Sequence, residues 1–216
     1  MMTGWHDRRS AARQRDAARQ GDAAGQGGAA GQGDAAGQGG AVGQGGASGS
    51  ADGPGALRPM RPADLASVLA LEHELFPEDP WSAQMFADEV AQPPSARLYL
   101  VAEADDASGP VPGAAGHAVA GYAGMMFLPG GLQADVLTIA VARAYWGRGV
   151  GSALLGALLQ AAVGRGCTEV FLEVREDNPR ARGLYMRRGF EEIGVRRGYY
   201  QPSGVDAIVM RKDLRR

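Results

Sequence analysis

Lysine is nearly missing from this chain: Lys212 is the one lysine among 22 basic residues. A phosphate-cradling loop ending in Gly-Lys-Ser/Thr is therefore excluded. Cysteine is as scarce. Cys167 stands alone, which excludes a disulfide framework and any zinc site built from several cysteines. The three histidines, His6, His73 and His117, are scattered and offer no metal-ligand spacing. An excess of positive charge is missing too. The net charge is −2 at pH 7, so the chain is not a generally basic nucleic-acid binder. No apolar run approaches the ~18 residues of a membrane-spanning helix. Arg8 and Arg9 precede no apolar stretch, so the front does not read as a secretory signal and the expected compartment is the cytoplasm.

Large apolar side chains are absent from the front. Residues 1–56 hold 16 of the 34 glycines, in hexads such as RQGDAA, GQGGAA and GQGDAA. Each hexad offers Ala or one Val to a core, too little to offset the entropy of ordering. Glycine does not recur at every third position, which excludes a collagen-like helix. Residues 1–55 are therefore expected to be a disordered Gly/Ala/Gln-rich tail, and residues 56–216 one domain of ordinary size.

From residue 56 the pattern changes. Ala56–Met60 reads as a short strand. Pro62 suits a first helical position, and Leu65, Val68, Leu69, Leu71 and Leu75 form a helical apolar face. Ser82 can cap a second helix carrying Met85, Phe86 and Val90. Leu98–Glu103, Ala118–Leu128 and Asp135–Val141 read as strands of an antiparallel meander, with Asp105–Gly116 a polar turn region. Val150, Leu154, Leu158 and Ala162 mark a helix that Gly166 stops. Thr168–Val174 is a strand with Val170, Leu172 and Val174 on one face. Asn178 and Pro179 can open a further helix, through Leu184 and Tyr185 to Gly189. Strands near Phe190–Arg196 and Val205–Lys212 close the chain. The order predicts an α+β sandwich with one parallel crossover.

Between a strand and a helix lies Trp146-Gly147-Arg148-Gly149-Val150-Gly151. Glycines allow close backbone approach, and a helix start presents unpaired N–H groups and the positive end of a dipole, which suits a pyrophosphate. The dipole itself contributes only ~0.3–1 kcal/mol. Affinity must come from several N–H bonds together and from Arg148. Three readings compete: a plain strand-to-helix turn, a dinucleotide site and a coenzyme A site. Gly147, Gly149 and Ser152 nearly match the dinucleotide fingerprint, with Glu173 about 20 residues on. The antiparallel meander before the turn, and the few residues after it, argue against that fold.

The stretch Thr138–Gly189 resembles the GCN5-related N-acetyltransferase (GNAT) superfamily. The resemblance rests on Ile139-Ala140-Val141, on Gly147 through Leu155, on Leu172-Glu173-Val174-Arg175, and on Asn178, Leu184-Tyr185 and Gly189-Phe190. Within it the chain is most similar to bacterial ribosomal-protein-alanine N-acetyltransferases. Phe76-Pro77, Pro80-Trp81-Ser82 and Arg197-Gly198-Tyr199-Tyr200 add to this, and the likeness covers about residues 57–213. Trp146 replaces the first residue of the superfamily's Gln/Arg-x-x-Gly-x-Gly/Ala loop, and Gly198 stands where Asn is common.

The resemblance implies a GNAT acyltransferase fold, with a mixed, mostly antiparallel central sheet flanked by helices. It implies acetyl-CoA as co-substrate and no metal. Ile139, Ala140 and Val141 would pair with the pantetheine arm. Gly147, Arg148, Gly149, Val150, Gly151 and Ser152 would hold the diphosphate, and Asn178 would touch the same arm. Glu173 would be the base and Tyr185 the acid. The acceptor would be the N-terminal alanine of a small-subunit ribosomal protein, or another basic peptide or small amine. A non-catalytic acyl-CoA sensor is the reading outside enzymology. Without the resemblance, Glu173 reads as a solvent-facing strand residue, Tyr185 as a packed helix aromatic and Asn178 as a helix cap. No direct nucleic acid, no membrane, and a monomer or weak dimer are expected.

Charge is distributed unevenly. Leu57–Ala142 holds eleven acids against three arginines, and Arg143–Arg216 eight acids against fourteen bases. The acids Glu72, Glu74, Glu78, Asp79, Asp88 and Glu89 suggest a field that steers a basic peptide. Cys167, with no histidine nearby in sequence, reads as structural.

Overall fold

A computed structural model describes residues 55–77, 80–104 and 119–215. The expected tail therefore lies outside the described residues up to Asp52-Gly53-Pro54, as do the Asp105–Gly116 turn and the pair Glu78 and Asp79. The elements in chain order are β1 (Leu57–Pro59), α1 (Leu65–Leu75), α2 (Ala83–Val90), β2 (Arg97–Glu103), β3 (Val119–Phe127) and β4 (Gln133–Val141). There follow α3 (Val150–Gly164), β5 (Glu169–Arg175), α4 (Pro179–Arg187), β6 (Glu191–Tyr200) and β7 (Val205–Asp213). Pro62 opens a 3-10 turn, Pro62–Asp64, that leads into α1.

Local chemistry places the ends. The Ser82 hydroxyl accepts from the Met85 N–H at 3.2 Å and caps α2. Asn178 Oδ1 accepts from the Ala181 N–H at 3.0 Å and caps α4, with Pro179 at its first position. Gly166 and Gly189, just beyond α3 and α4, take φ of 75° and 81°, a region open to glycine at no steric cost.

The seven strands form one sheet in the order β1-β2-β3-β4-β5-β7-β6. All neighbours are antiparallel except β4 and β5, which are joined through α3 as the one parallel crossover. This is the mixed, mostly antiparallel α+β architecture the sequence predicts. Strand alternation shows how helices cover both faces of β3. A side chain at Gly121 would meet Leu154 of α3, whereas its neighbour Tyr122 donates to Glu72 of α1. Every residue of β3 is buried as a result.

One departure concerns β5. Val170, Leu172 and Val174 are buried as the sequence predicts, but so are Phe171 and Glu173 on the alternate positions. Both faces of this strand are covered. Glu173 is therefore not the solvent-facing residue that period-2 spacing alone suggests.

Candidate active site

The parallel pairing of β4 and β5 is short. It joins Gln133, Ala134 and Asp135 to Glu169, Val170 and Phe171 and goes no further. Yet β4 runs on to Val141 and β5 to Arg175. The two strands therefore part towards their C-terminal ends, where α3 and α4 begin. A crevice outside the carboxyl ends of parallel strands, at a point of strand divergence, is where α/β sheets bind ligands.

The β4 wall of this crevice carries Ile139, Ala140 and Val141, all buried. The Ala142 N–H donates to the Ala120 carbonyl on β3 at 2.9 Å. Peptide groups alternate in direction along a strand, so the N–H and C=O of Val141 and Ile139 point away from β3, into the crevice. The Val141 carbonyl is occupied there: Trp146 Nε1 donates to it at 2.8 Å. The Val141 N–H is left aimed at the opening.

Above this wall sits the glycine-rich turn. Gly147 and Gly149 hold φ of 83° and 80°, and a Cβ on either would meet nothing within 4 Å. Gly149 is the N-cap of α3, and no side chain caps that helix. The first N–H groups of α3, on Val150, Gly151 and Ser152, lack intrahelical acceptors by position. The Ser152 hydroxyl is engaged elsewhere, accepting from Arg188 Nε at 3.2 Å, while the Ser152 carbonyl accepts from Arg188 Nη2 at 2.8 Å. Ser152 thus presents its main chain, and Arg188 ties the end of α4 to the start of α3. Exposed arginines gather at the turn. Arg148 lies over the Tyr145 ring at 5.1 Å, and Arg143 and Arg180 over the Trp146 ring at 5.0 and 4.7 Å. Sequence reasoning named Arg148 but missed Arg143 and Arg180. Their shared aromatic neighbour Trp146 was the available signal.

The β5 wall carries Glu173, which is 0% exposed. Its Oε1 lies 2.9 Å from Arg196 Nη1 of β6. Tyr185 is 1% exposed, packs edge-on against Phe190 at 5.9 Å, and has its phenol held well above the ordinary value of 10.0 by burial. Asn178 stands at the mouth, as the α4 cap. The topology thus brings Ile139–Val141, the turn, the start of α3, Glu173 and Asn178 to one end of the sheet, with Tyr185 about two helical turns down α4.

The acidic group behaves differently from its sequence appearance. Glu72 is buried, accepts from the Trp81 N–H at 3.0 Å and from the Tyr122 hydroxyl, and ties the α1–α2 connection to the sheet. Glu89 pairs with Arg97 and accepts from the Tyr99 hydroxyl at 3.1 Å. Glu74 lies 3.5 Å from Arg143. Any steering field therefore rests on fewer uncompensated charges than the sequence suggests. Cys167 is buried, and burial pushes its thiol up, as suits a structural residue. Among the described residues no group of three His, Cys, Asp or Glu could hold a metal, and no helix is long and apolar enough to cross a membrane.

Comparison with known proteins agrees with this fold. Residues 65–190 match the Acetyltransferase (GNAT) family. An uncharacterised Mycobacterium leprae protein is 41% identical over 157 residues, 71% of this chain and 39% of that protein, so the chain spans well under half of that relative. The N-alpha-acetyltransferase RimI of Mycobacterium tuberculosis is 40% identical over 154 residues, covering 70% of this chain and 87% of that protein. The crystal structure of the Escherichia coli ribosomal-protein-S18-alanine N-acetyltransferase superposes with a TM-score of 0.61 at 28% identity, covering 74% of this chain and 93% of that one.

Proposed function

This chain belongs to the GNAT acetyltransferase family, and from that premise we propose that it transfers the acetyl group of acetyl-CoA to the α-amino group of an N-terminal alanine on a small-subunit ribosomal protein. The observation that carries the reading is the crevice between β4 and β5. One wall offers the Val141 N–H, the other a buried carboxylate, Glu173, and a helix start lies at the mouth. The names of the M. tuberculosis and E. coli relatives support the same acceptor class.

The residues present fit acetyl-CoA. The open space over Gly147 and Gly149, the uncapped start of α3, and Arg148 suit a diphosphate. When bound, acetyl-CoA supplies an acyl carbon activated as a thioester. The backbone of Ile139–Val141 pairs with its pantetheine arm as an added strand, and Asn178 flanks the same arm. The Val141 N–H stabilises charge that develops on the thioester oxygen. Glu173 takes a proton from the acceptor ammonium, directly or through one water, which frees the nitrogen lone pair to form the C–N bond. As the C–S bond breaks, the Tyr185 phenol donates a proton to the leaving sulfur and recovers one, through water, from the nitrogen as it becomes an amide, while the proton on Glu173 passes to solvent. An α-amino group with pKa about 8 costs ~1.4 kcal/mol to deprotonate at pH 7, against ~4.6 for a lysine at about 10.4. A single carboxylate is matched to the easier task.

The M. tuberculosis relative bears only the broader name N-alpha-acetyltransferase, which favours a second reading in which other protein N-termini are also accepted. Mass spectrometry of protein N-termini in cells with and without the gene, with purified enzyme on a peptide panel, tests both. Loss of acetylation on one ribosomal N-terminus supports the first, and loss across many supports the second. Acetyl-CoA binding with no acetylated peptide or amine would overturn both. Replacing Glu173 by Gln is expected to lower kcat on the order of 10²-fold at neutral pH with acetyl-CoA affinity retained. A drop in acetyl-CoA binding instead would place Glu173 in the wrong pocket.

A further inference from the structure

The carboxylate proposed to receive the acceptor's proton already holds a cation. Glu173 is 0% exposed, and its Oε1 sits 2.9 Å from Arg196 Nη1. The two residues are not on neighbouring strands. Glu173 is opposite Val209 on β7, and Val209 is opposite Gly194 on β6. Arg196 lies two residues further along β6, opposite Ala207. Side chains two apart on a strand share a face, so Arg196 and Glu173 are on the same face of the sheet. The guanidinium must cross β7 to reach Glu173. Gly194 adds no side chain to that face, and Ala207 ends at Cβ.

Arg196 is placed to leave again. Its side chain is 16% exposed, whereas Glu173 is sealed. It belongs to β6, one of the two edge strands of the sheet, and the β6–β7 register shifts between Arg196 and Tyr200. Its guanidinium also lies over the Tyr199 ring, 5.4 Å from the centroid. An aromatic face is a second contact, one that a guanidinium can keep after it leaves a carboxylate.

The incoming α-ammonium and the guanidinium carry the same charge and compete for the same carboxylate. A buried carboxylate left with no cation pays a desolvation penalty, and one shared by two cations brings like charges together. We infer that Arg196 is a stand-in for the acceptor ammonium. It holds Glu173 ionised while the acceptor site is empty. It moves off Glu173 as the ammonium arrives and keeps its place over the Tyr199 ring. It returns once the amine has become a neutral amide and Glu173 has released its proton to solvent, which helps the product leave. Arg196 is on this account a positioning residue that sets acceptor affinity, and it touches neither the thioester nor the sulfur. This rests on Glu173 being the acceptor's partner.

Steady-state kinetics on Arg196→Met and Arg196→Lys, beside Glu173→Gln, test it. Methionine keeps the length of the arm and removes the competing charge. The KM for the acceptor peptide is expected to fall about threefold or more in Arg196→Met, with the KM for acetyl-CoA unchanged and Arg196→Lys returning towards wild type. An acceptor KM that is unchanged or higher in a folded Arg196→Met, while Glu173→Gln abolishes turnover, overturns the stand-in role and leaves the base assignment intact. Full turnover in Glu173→Gln instead overturns the base assignment and the inference with it. A crystal structure of the wild-type enzyme with acceptor peptide reads the same point without a variant. The Arg196–Glu173 contact is expected to open beyond hydrogen-bonding distance, and its persistence beside a bound acceptor amine overturns the proposal.

Discussion

Trp146 Nε1 donates a 2.8 Å hydrogen bond to the Val141 carbonyl and so fastens the glycine-rich turn to the end of β4. The same indole ring carries Arg143 and Arg180 over it. The first position of the loop, Gln or Arg in the superfamily pattern, is therefore filled here by a residue that braces the crevice wall and gathers two guanidinium groups. Replacing Trp146 by Phe removes the donor and keeps a ring. One hydrogen bond is worth about 0.5–1.5 kcal/mol, so acetyl-CoA affinity is expected to fall roughly 2- to 10-fold. Replacement by Ala removes the stacking surface as well and is expected to cost more. Calorimetric titration with coenzyme A reads both, and equal affinities for Trp146→Ala and wild type would contradict the bracing role.

Two glycines of the same region predict opposite signs. Gly149 has φ of 80°, so an alanine there is strained although the space around it is open. The left-handed conformation costs about 1–2 kcal/mol, roughly 2–8 °C in Tm for a chain of this size. Its Cβ also enters the space over the turn, so coenzyme A affinity is expected to fall with it. Gly156, inside α3, would place a Cβ at ordinary contact distance from the Arg188 guanidinium. Gly156→Ala is expected to stabilise by about 0.5–1 kcal/mol and to leave coenzyme A binding unchanged. Thermal melts and titrations of the two variants side by side check the contrast.

Arg58 and Asp64 lock β1 to the start of α1, through Nη1 to Oδ2 at 2.7 Å and Nη2 to Oδ1 at 2.8 Å. The Arg61 N–H adds a third bond at 2.7 Å. The Arg58 guanidinium, ahead of the opposing effect of burial, holds the Asp64 carboxyl below its ordinary 3.8. A depressed folded value means that the ionised form is the one the fold favours. The stabilisation is complete above the unfolded value of 3.8 and is lost as pH falls through the lower folded value. Asp64→Asn should lack this contribution at every pH. The Tm gap between wild type and variant is expected to be constant above about pH 5 and to narrow in stronger acid. A gap that widens on acidification would reverse the sign.

Much of this was legible in the chain. The apolar spacing of α1 and α3, the caps Ser82 and Asn178 and the stop glycines depend on local chemistry, and local chemistry is written in sequence. The parting of β4 and β5 was not legible, because strand register is a non-local property that periodicity does not encode. The Glu173–Arg196 pair was hidden for the same reason: it crosses a strand that comes later in the chain than both. Glu72 was open to a sharper reading. It sits four residues after Val68 and next to Leu71, on the buried stripe of α1, so helical spacing alone marks it as facing inward.

The final expectation concerns Tyr185. Burial raises its phenol well above 10.0, so it remains a protonated donor across the working range. A thiol has an ordinary pKa near 8.5, so a thiolate is already a fair leaving group at neutral pH and help from an acid is modest. Tyr185→Phe removes only the hydroxyl, which makes no hydrogen bond among the described residues, and keeps the ring against Phe190. The fold should therefore hold, while kcat is expected to fall about 10- to 100-fold. Because the phenol does not titrate near neutrality, the shape of the pH–kcat profile between pH 6 and about pH 9 should be the same in variant and wild type. An alkaline limb in wild type that vanishes in Tyr185→Phe would mean that the hydroxyl does ionise in that range, and would remove it from the role of acid.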